Sequence, residues 1–268
     1  MNSVTLSQEG TTYTPEELRN HFKNVANAYQ MKVGSKTLKL RSQPLMFWQN
    51  TIRLQEQGAL YAWLNEGRPQ VLCSIFTYQD GNEVKCRHEA ISLADQPLVS
   101  KLDSVQVWSP QKAGVQWNVF GGSAPPAESE RRRLSQMRGI ARQFNGTLKI
   151  PESQPSKLTL IPQPLVRYQA PESGVIDGAI FSLAVGTDPE IFLLVEARKD
   201  STGSTKWHYA AARAHFHELE LEKSNETVWK APSIVELQNT RANQMPYANG
   251  SYFIFFPPKP LPSPEVLR

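Results

Sequence analysis

The chain has 268 residues, 40% apolar and 20% charged, the balance of a soluble globular protein and not of a disordered, collagen-like or disulfide-built one. Its 29 basic and 25 acidic side chains leave a net charge of +4, short of the surplus with which nucleic-acid binders meet phosphates. No apolar window approaches the roughly 18 residues of a spanning helix. The opening residues MNSVTLSQEG have neither the basic nor the apolar region of a signal peptide. A trimmed chain given a new Met would read the same way, so both a cytoplasmic and an extracytoplasmic home stay open.

The first helix is announced by Thr14-Pro15-Glu16-Glu17, a capping box with Pro at the first helical position. Leu18, Phe22, Val25 and Tyr29 follow at helical spacing as one apolar stripe. The period then shortens to that of strands. Gly58 to Leu64 and Gln70 to Tyr78 are parted by the turn cluster Asn65-Glu66-Gly67-Arg68-Pro69, and strands at Val84 to Leu93 and Val105 to Trp108 come next. Cys73 and Cys86 flank a hairpin turn at Asp80-Gly81. A two-residue Asp-Gly loop places the two thiols diagonally on one face, and a three-residue loop through Asn82 places them on opposite faces. Free buried thiols are expected in preference to a bridge.

Gly121-Gly122-Ser123-Ala124 reads as a linker, because the prolines at 125 and 126 remove the amides that a phosphate would need. A second helix is expected from Ser123–Pro126 to about Phe144, closed by Asn145-Gly146, with Leu134, Met137, Ala141 and Phe144 as its stripe. Strands follow at Ala179 to Val185, Glu190 to Arg198, Lys206 to Leu221 and Thr227 to Trp229. The tail PPKPLPSPEVLR reads as exposed and polyproline-like, with docking to a Pro-binding partner as its functional alternative.

Self-comparison organises these elements. Gln43-Pro44-Leu45 returns as Gln163-Pro164-Leu165 and Gly58-Ala59-Leu60-Tyr61 as Gly178-Ala179-Ile180-Phe181, both 120 residues on (43 to 163, 58 to 178). Val107-Trp108 returns as Val228-Trp229 after 121 (107 to 228), and an offset of 119 lays Leu18, Phe22 and Val25 on Met137, Ala141 and Phe144. The expected fold class is therefore α+β: an internal duplication of a helix plus a four- or five-stranded antiparallel sheet, with a pseudo-twofold. The repeats span 1–120 and 121–250, and 251–268 forms a final strand and the Pro-rich tail.

Motifs for nucleotide, metal or acyl chemistry are missing: GxGxxG, GxxxxGK[ST], GxSxG, HExxH and CxxC all fail to occur. His215 and His217 would share a strand face as two metal ligands, but no third ligand is identifiable, so a structural pair is expected and no cofactor is assigned. His88-Glu89 and His208 fall near equivalent places in the repeats. If residue 198 pairs with 206, Glu196 faces His208 and could orient its imidazole as an acid–base couple confined to the second repeat. Arg131, Arg138 and Arg142 lie within about 40° on a helical wheel, a solvated flank without the interleaved aromatics that stack bases. Trp63, Trp117 and Trp207 have no counterpart in the other half and are candidates for an exposed binding surface.

Gly58-Ala59-Leu60-Tyr61-Ala62-Trp63 with Gly67-Arg68-Pro69, His88-Glu89 before Ser92-Leu93, Gln136-Met137-Arg138, and Gly178-Ala179-Ile180-Phe181 with Asp188-Pro189-Glu190 resemble an uncharacterised bacterial protein family. Many of its members are exported. The resemblance covers about residues 38 to 232 and brings no activity, cofactor or catalytic residue with it. The sequence thus favours a non-catalytic binding or interaction protein with a protein or small-molecule partner, and argues against nucleic acid. The alternative is a small hydrolase- or isomerase-like enzyme with one pocket around His208 and Glu196.

Overall fold

A computed structural model describes residues 6–8, 11–50, 56–200, 202–234, 250–257 and 261–267. The chain is mostly antiparallel sheet with few helices, an α+β arrangement rich in strand. It divides into two compact units, one of residues 1–64, 69–113 and 236–268, the other of residues 65–68 and 114–235.

The first unit opens with β1 (Leu6–Gln8), β2 (Thr11–Tyr13) and α1 (Pro15–Ala28). The capping box of α1 forms as read: the Glu17 amide donates to Thr14 Oγ1 at 3.2 Å and the Thr14 amide to the Glu17 carboxylate at 2.8 Å. Short strands β3 (Tyr29–Val33), β4 (Lys36–Thr37), β5 (Lys39–Leu40) and β6 (Met46–Asn50) precede the long hairpin partners β7 (Glu56–Asn65), β8 (Arg68–Asp80) and β9 (Glu83–Ser92). The chain continues through β10 (Leu98–Leu102) and β11 (Val105–Trp108) into the second unit.

That unit holds β12 (Asn118–Val119), α2 (Glu130–Ala141), β13 (Phe144–Lys149), β14 (Ser156–Ala170), β15 (Val175–Val185), β16 (Asp188–Lys199), β17 (Thr205–Arg213), β18 (Glu218–Lys223) and β19 (Glu226–Ala231). The first unit is completed by β20 (Tyr252–Phe255) and a short helix, Pro264–Leu267. Its strands order as β20-β9-β8-β7-β5, with β6 also on β7, and as β11-β10-β3-β4. The second unit forms β12-β17-β16-β15-β14-β13-β18-β19.

Alternation along the strands decides the cores. Val71, Cys73 and Ile75 of β8 and Val84, Cys86 and Ala90 of β9 meet Leu18, Phe22 and Ala26 of α1. Each such Leu or Phe contributes about 1.5–3 kcal/mol when buried. In the second unit Met137, Ile140 and Ala141 of α2 cover Ile191, Leu193, Val195, Trp207 and Tyr209.

Four expectations are corrected. The second helix stops at Ala141, and Phe144, Asn145 and Gly146 enter β13, where both β14 and β18 satisfy the backbone. The strand expected from Lys206 to Leu221 breaks at 214–217, because the Arg213 guanidinium gathers the carbonyls of His215, Phe216, His217 and Pro232 at 2.8–3.0 Å. The β8–β9 loop is Gly81-Asn82, with Gly81 at φ +60 and Asp80 opposite Glu83, a register outside both alternatives considered. Cys73 then faces Ala90 and Cys86 faces Thr77, so the thiols share a face but are free and apart. Finally, Leu261 in the tail is buried and donates its amide to the Val84 carbonyl at 2.8 Å. Residues 258–260 lie outside the described residues.

Burial pushes the Cys86 thiol up to about 12 and raises Cys73 as well, so neither is nucleophilic at neutral pH. Iodoacetamide should leave the native chain unmodified and add two alkyl groups in denaturant without reductant. Modification of the native chain, or a need for reductant, would contradict this arrangement.

Candidate functional site

A pocket of about 370 Å³ opens in the first unit, at the lower end of the sizes that hold small molecules. Its walls come from His21, Val25 and Ala28 of α1, Cys86 and His88 of β9, and Phe255 of β20, with Leu261 and Pro262 from the tail. Pro257, with Leu102 and Asp103 at the β10–β11 turn, completes the wall. The lining is chiefly apolar. The helix presents its Leu18–Phe22–Ala26 stripe to the sheet and leaves His21 and Val25 beside the opening.

His88 is the deeply buried polar group of this wall. It lies opposite Ile75 in the β8–β9 ladder, on the core face with Cys86 and Ala90, and is only 2% exposed. Tyr29 Oη sits 2.8 Å from His88 Nδ1. The imidazole meets the Tyr29 and Phe255 rings at centroid distances of 5.7 and 5.4 Å. Trp63 packs edge-on against Tyr29 from the core, 5.9 Å away. Among the described residues, Nε2 of His88 is buried with no hydrogen-bond partner. Such groups are few in native proteins and each calls for an explanation. Burial, with a smaller push from His21, lowers the His88 pKa to about 3, so the ring is neutral. Burial also lowers that of His21.

The second unit buries its charged groups differently. Glu196 is wholly buried, and its carboxylate accepts from Arg68 Nε at 2.9 Å, Tyr168 Oη at 2.6 Å and Arg198 Nε at 2.6 Å. The Arg198 guanidinium stacks 3.7 Å over the Trp117 ring. Asp177, equally buried, accepts from Arg133 at 2.7 Å and from Arg167 at 2.6 and 2.8 Å. The sequence reading missed both knots, although an Arg on the buried stripe of a helix and an Asp inside the apolar run VIDGAIF were visible signals.

The acid–base couple does not assemble. Glu196 and His208 are cross-strand partners, as read, but Glu196 is spent on its three donors and His208 Nδ1 lies 3.3 Å from the Lys206 carbonyl. Burial is the main cause that lowers the His208 pKa. His208 lies on the strand face opposite Trp207 and Tyr209, whereas His88 shares the core face, so the two histidines are not counterparts. Glu89 points the other way from His88 and accepts from Tyr252 Oη at 3.0 Å. Trp63 and Trp207 are core residues at 1% and 2% exposure, and the exposed aromatic surface expected of them with Trp117 does not form. His215 and His217 stand in the bend at 214–217 with rings stacked 5.1 Å apart, where the His217 amide donates to His215 Nδ1. Among the described residues no group of three metal-ligating side chains gathers, and no helix is long and apolar enough to cross a membrane.

No protein-family profile, no curated protein and no solved structure matches this chain. The likeness to an exported bacterial family rests on the quoted segments alone.

The folded His88 ring binds its proton less tightly than the free ring, so the unfolded chain takes up more protons between about pH 6.5 and 3. Stability is thus full above about pH 6.5 and falls by about 1.4 kcal/mol per unit as the pH drops through that window. Urea titrations from pH 7 to 4 should show this slope reduced in His88→Phe; equal slopes would contradict it. In the second unit, Arg68→Ala leaves the Glu196 carboxylate short of a donor and should cost about 3–5 kcal/mol, while Lys206→Ala on the surface stays within about 0.5 kcal/mol.

Proposed function

We propose that the protein is a non-catalytic binding protein, built from two copies of one α+β unit, that holds a small apolar molecule in the first-unit pocket. One observation carries the binding reading: an apolar pocket has in its wall a buried, neutral His88 whose Nε2 has no partner among the described residues. A ligand group that met this nitrogen would remove a standing desolvation cost of about 1–3 kcal/mol. A ring that resists protonation until about pH 3 is poorly matched to general-base work at neutral pH, which favours binding over catalysis. The enzyme alternative in the second repeat loses its support with the commitment of Glu196 to Arg68, Tyr168 and Arg198.

Strand registers support the duplication, with 1–120 and 121–250 as copies and 251–268 as the final strand and tail. Met46 opposite Leu60 recurs as Val166 opposite Ile180, and Trp48 opposite Gly58 as Tyr168 opposite Gly178. In both places the aromatic ring lies on the glycine so closely that a Cβ there would come within 2.7 Å of it. Ser100 opposite Trp108 recurs as Leu221 opposite Trp229, each followed by a register shift. The turns after them carry left-handed pairs, Asp103-Ser104 and Ser224-Asn225. The buried helix positions Leu18, Phe22 and Ala26 answer to Arg133, Met137 and Ala141, an offset of 115 (18 to 133) in place of 119. Counted at 121, Cys86 and His88 answer to Trp207 and Tyr209, so bulky rings stand in the second copy where the first is open.

N-phenyl-1-naphthylamine, a neutral apolar fluorophore, tests the reading. Its emission should rise to saturation at one molecule per chain, and Ala28→Trp, which places an indole in the pocket wall, should abolish the rise without loss of stability. An unsaturable signal, or one indifferent to Ala28→Trp, would sink the proposal.

A further inference from the structure

We infer that the pocket selects a neutral apolar molecule carrying a hydrogen-bond acceptor of the carbonyl type, a ketone, ester or amide, and that His88 recognises it by donating from Nε2–H. The inference rests on the binding reading above and adds the chemistry of the ligand.

Hydrogen-bond accounting fixes the tautomer. Tyr29 Oη is buried and, among the described residues, has His88 Nδ1 as its one partner, at 2.8 Å. If Nδ1 carried the proton and donated to the phenol oxygen, the phenolic hydrogen would be left in the core without an acceptor. If the phenol donates to a bare Nδ1, both atoms are satisfied, and the single proton of the neutral imidazole must sit on Nε2. Burial raises the Tyr29 pKa well above its ordinary value, so that hydroxyl keeps its hydrogen and remains a donor. The orphan atom is therefore a donor, and what it lacks is an acceptor.

Charge in the lining narrows the class. The groups facing the pocket that could carry charge are His21, His88, Cys86 and Asp103. Burial disfavours the charged forms of both imidazoles and of the thiol, and no Lys or Arg is among the lining residues described. Asp103 is an acidic side chain exposed at the turn. A carboxylate would enter an apolar space without a countercharge and beside a like one, at a desolvation cost of several kcal/mol. A carbonyl oxygen satisfies Nε2–H at no such cost.

Competition against bound N-phenyl-1-naphthylamine tests this on the full chain with 2-acetylnaphthalene, 2-isopropylnaphthalene and 2-naphthoate. The three share an aromatic body and differ in offering a neutral acceptor, none, or an anion. The ketone should displace the reporter roughly tenfold better than the hydrocarbon, and the naphthoate should be the weaker of the two oxygen-bearing probes. In His88→Phe the ketone's advantage should shrink to within about twofold while the hydrocarbon still displaces. Nitrogen-15 spectra of the histidine rings supply a readout independent of any variant's folding: His88 should show a protonated Nε2 and a bare Nδ1, with the Nε2 signal moving on addition of the ketone. If the reporter itself fails to bind, the binding reading falls and this inference with it. Reporter binding with equal displacement by ketone and hydrocarbon, a preference for naphthoate, or an Nδ1–H tautomer leaves the pocket standing and overturns the assignment.

Discussion

Long antiparallel strands, covered in each unit by one helix of more than a single turn among the described residues, set the terms for both units. The period of two sends alternate side chains of β8, β9, β16 and β17 to one face, and that face needs an apolar lid. A helix of 14 or 12 residues covers a strip about 10 Å wide, less than a sheet of this breadth presents. What the helix leaves over must be met by other side chains. In the second unit Phe120, Phe144 and Tyr209 pack ring on ring with centroids 4.9–6.2 Å apart. In the first, the leftover area is the wall of a cavity.

Polar burial follows a matching division. Glu196 and Asp177 are enclosed by donors on every side, so their charges act as rivets between strands and, for Asp177, between strand and helix. Breaking such a knot leaves a bare charge inside, which is why its members tolerate little change. His88 is hydrogen-bonded on one side only, among the described residues. Tyr29, itself held by Trp63, fixes the ring in place, and the opposite nitrogen is left over. A group that is both rigid and incomplete is what recognition asks for, since the cost of orienting it has already been met in folding.

Local features were legible in the sequence and parity was not. The capping box of α1 spans four neighbouring residues and needs no tertiary knowledge, and it forms as read. Hairpin pairing of Glu196 with His208 followed from a loop of the right length. Loop length also produced the errors. One residue of difference between the two central hairpins turns His88 inward and His208 outward, a distinction that no propensity records. Tyr29 and His88 are 59 residues apart and Arg133 and Asp177 are 44 apart, so each partnership exists only once the sheet has been assembled. Arg133 reads from sequence as part of a basic flank, because Leu134, one position along, marks the apolar stripe, yet it is Arg133 that is buried.

The wall of the pocket is gathered from distant stretches of chain. His21 and Val25 are made early, His88 later, and Phe255, Leu261 and Pro262 only after the entire second unit has been synthesised. β9 lacks its outer neighbour until β20 arrives, with Tyr252 settling beside Ile91 and Phe253 beside Ala90. A nascent chain therefore exposes a strand edge, and a half-built cavity, for as long as the ribosome takes to translate some 160 residues from β9 to β20 (92 to 252). The pocket exists only once the stretch beyond the second unit has been made, so a chain cut short within the second unit carries the helix and the histidine but has nowhere to put a ligand.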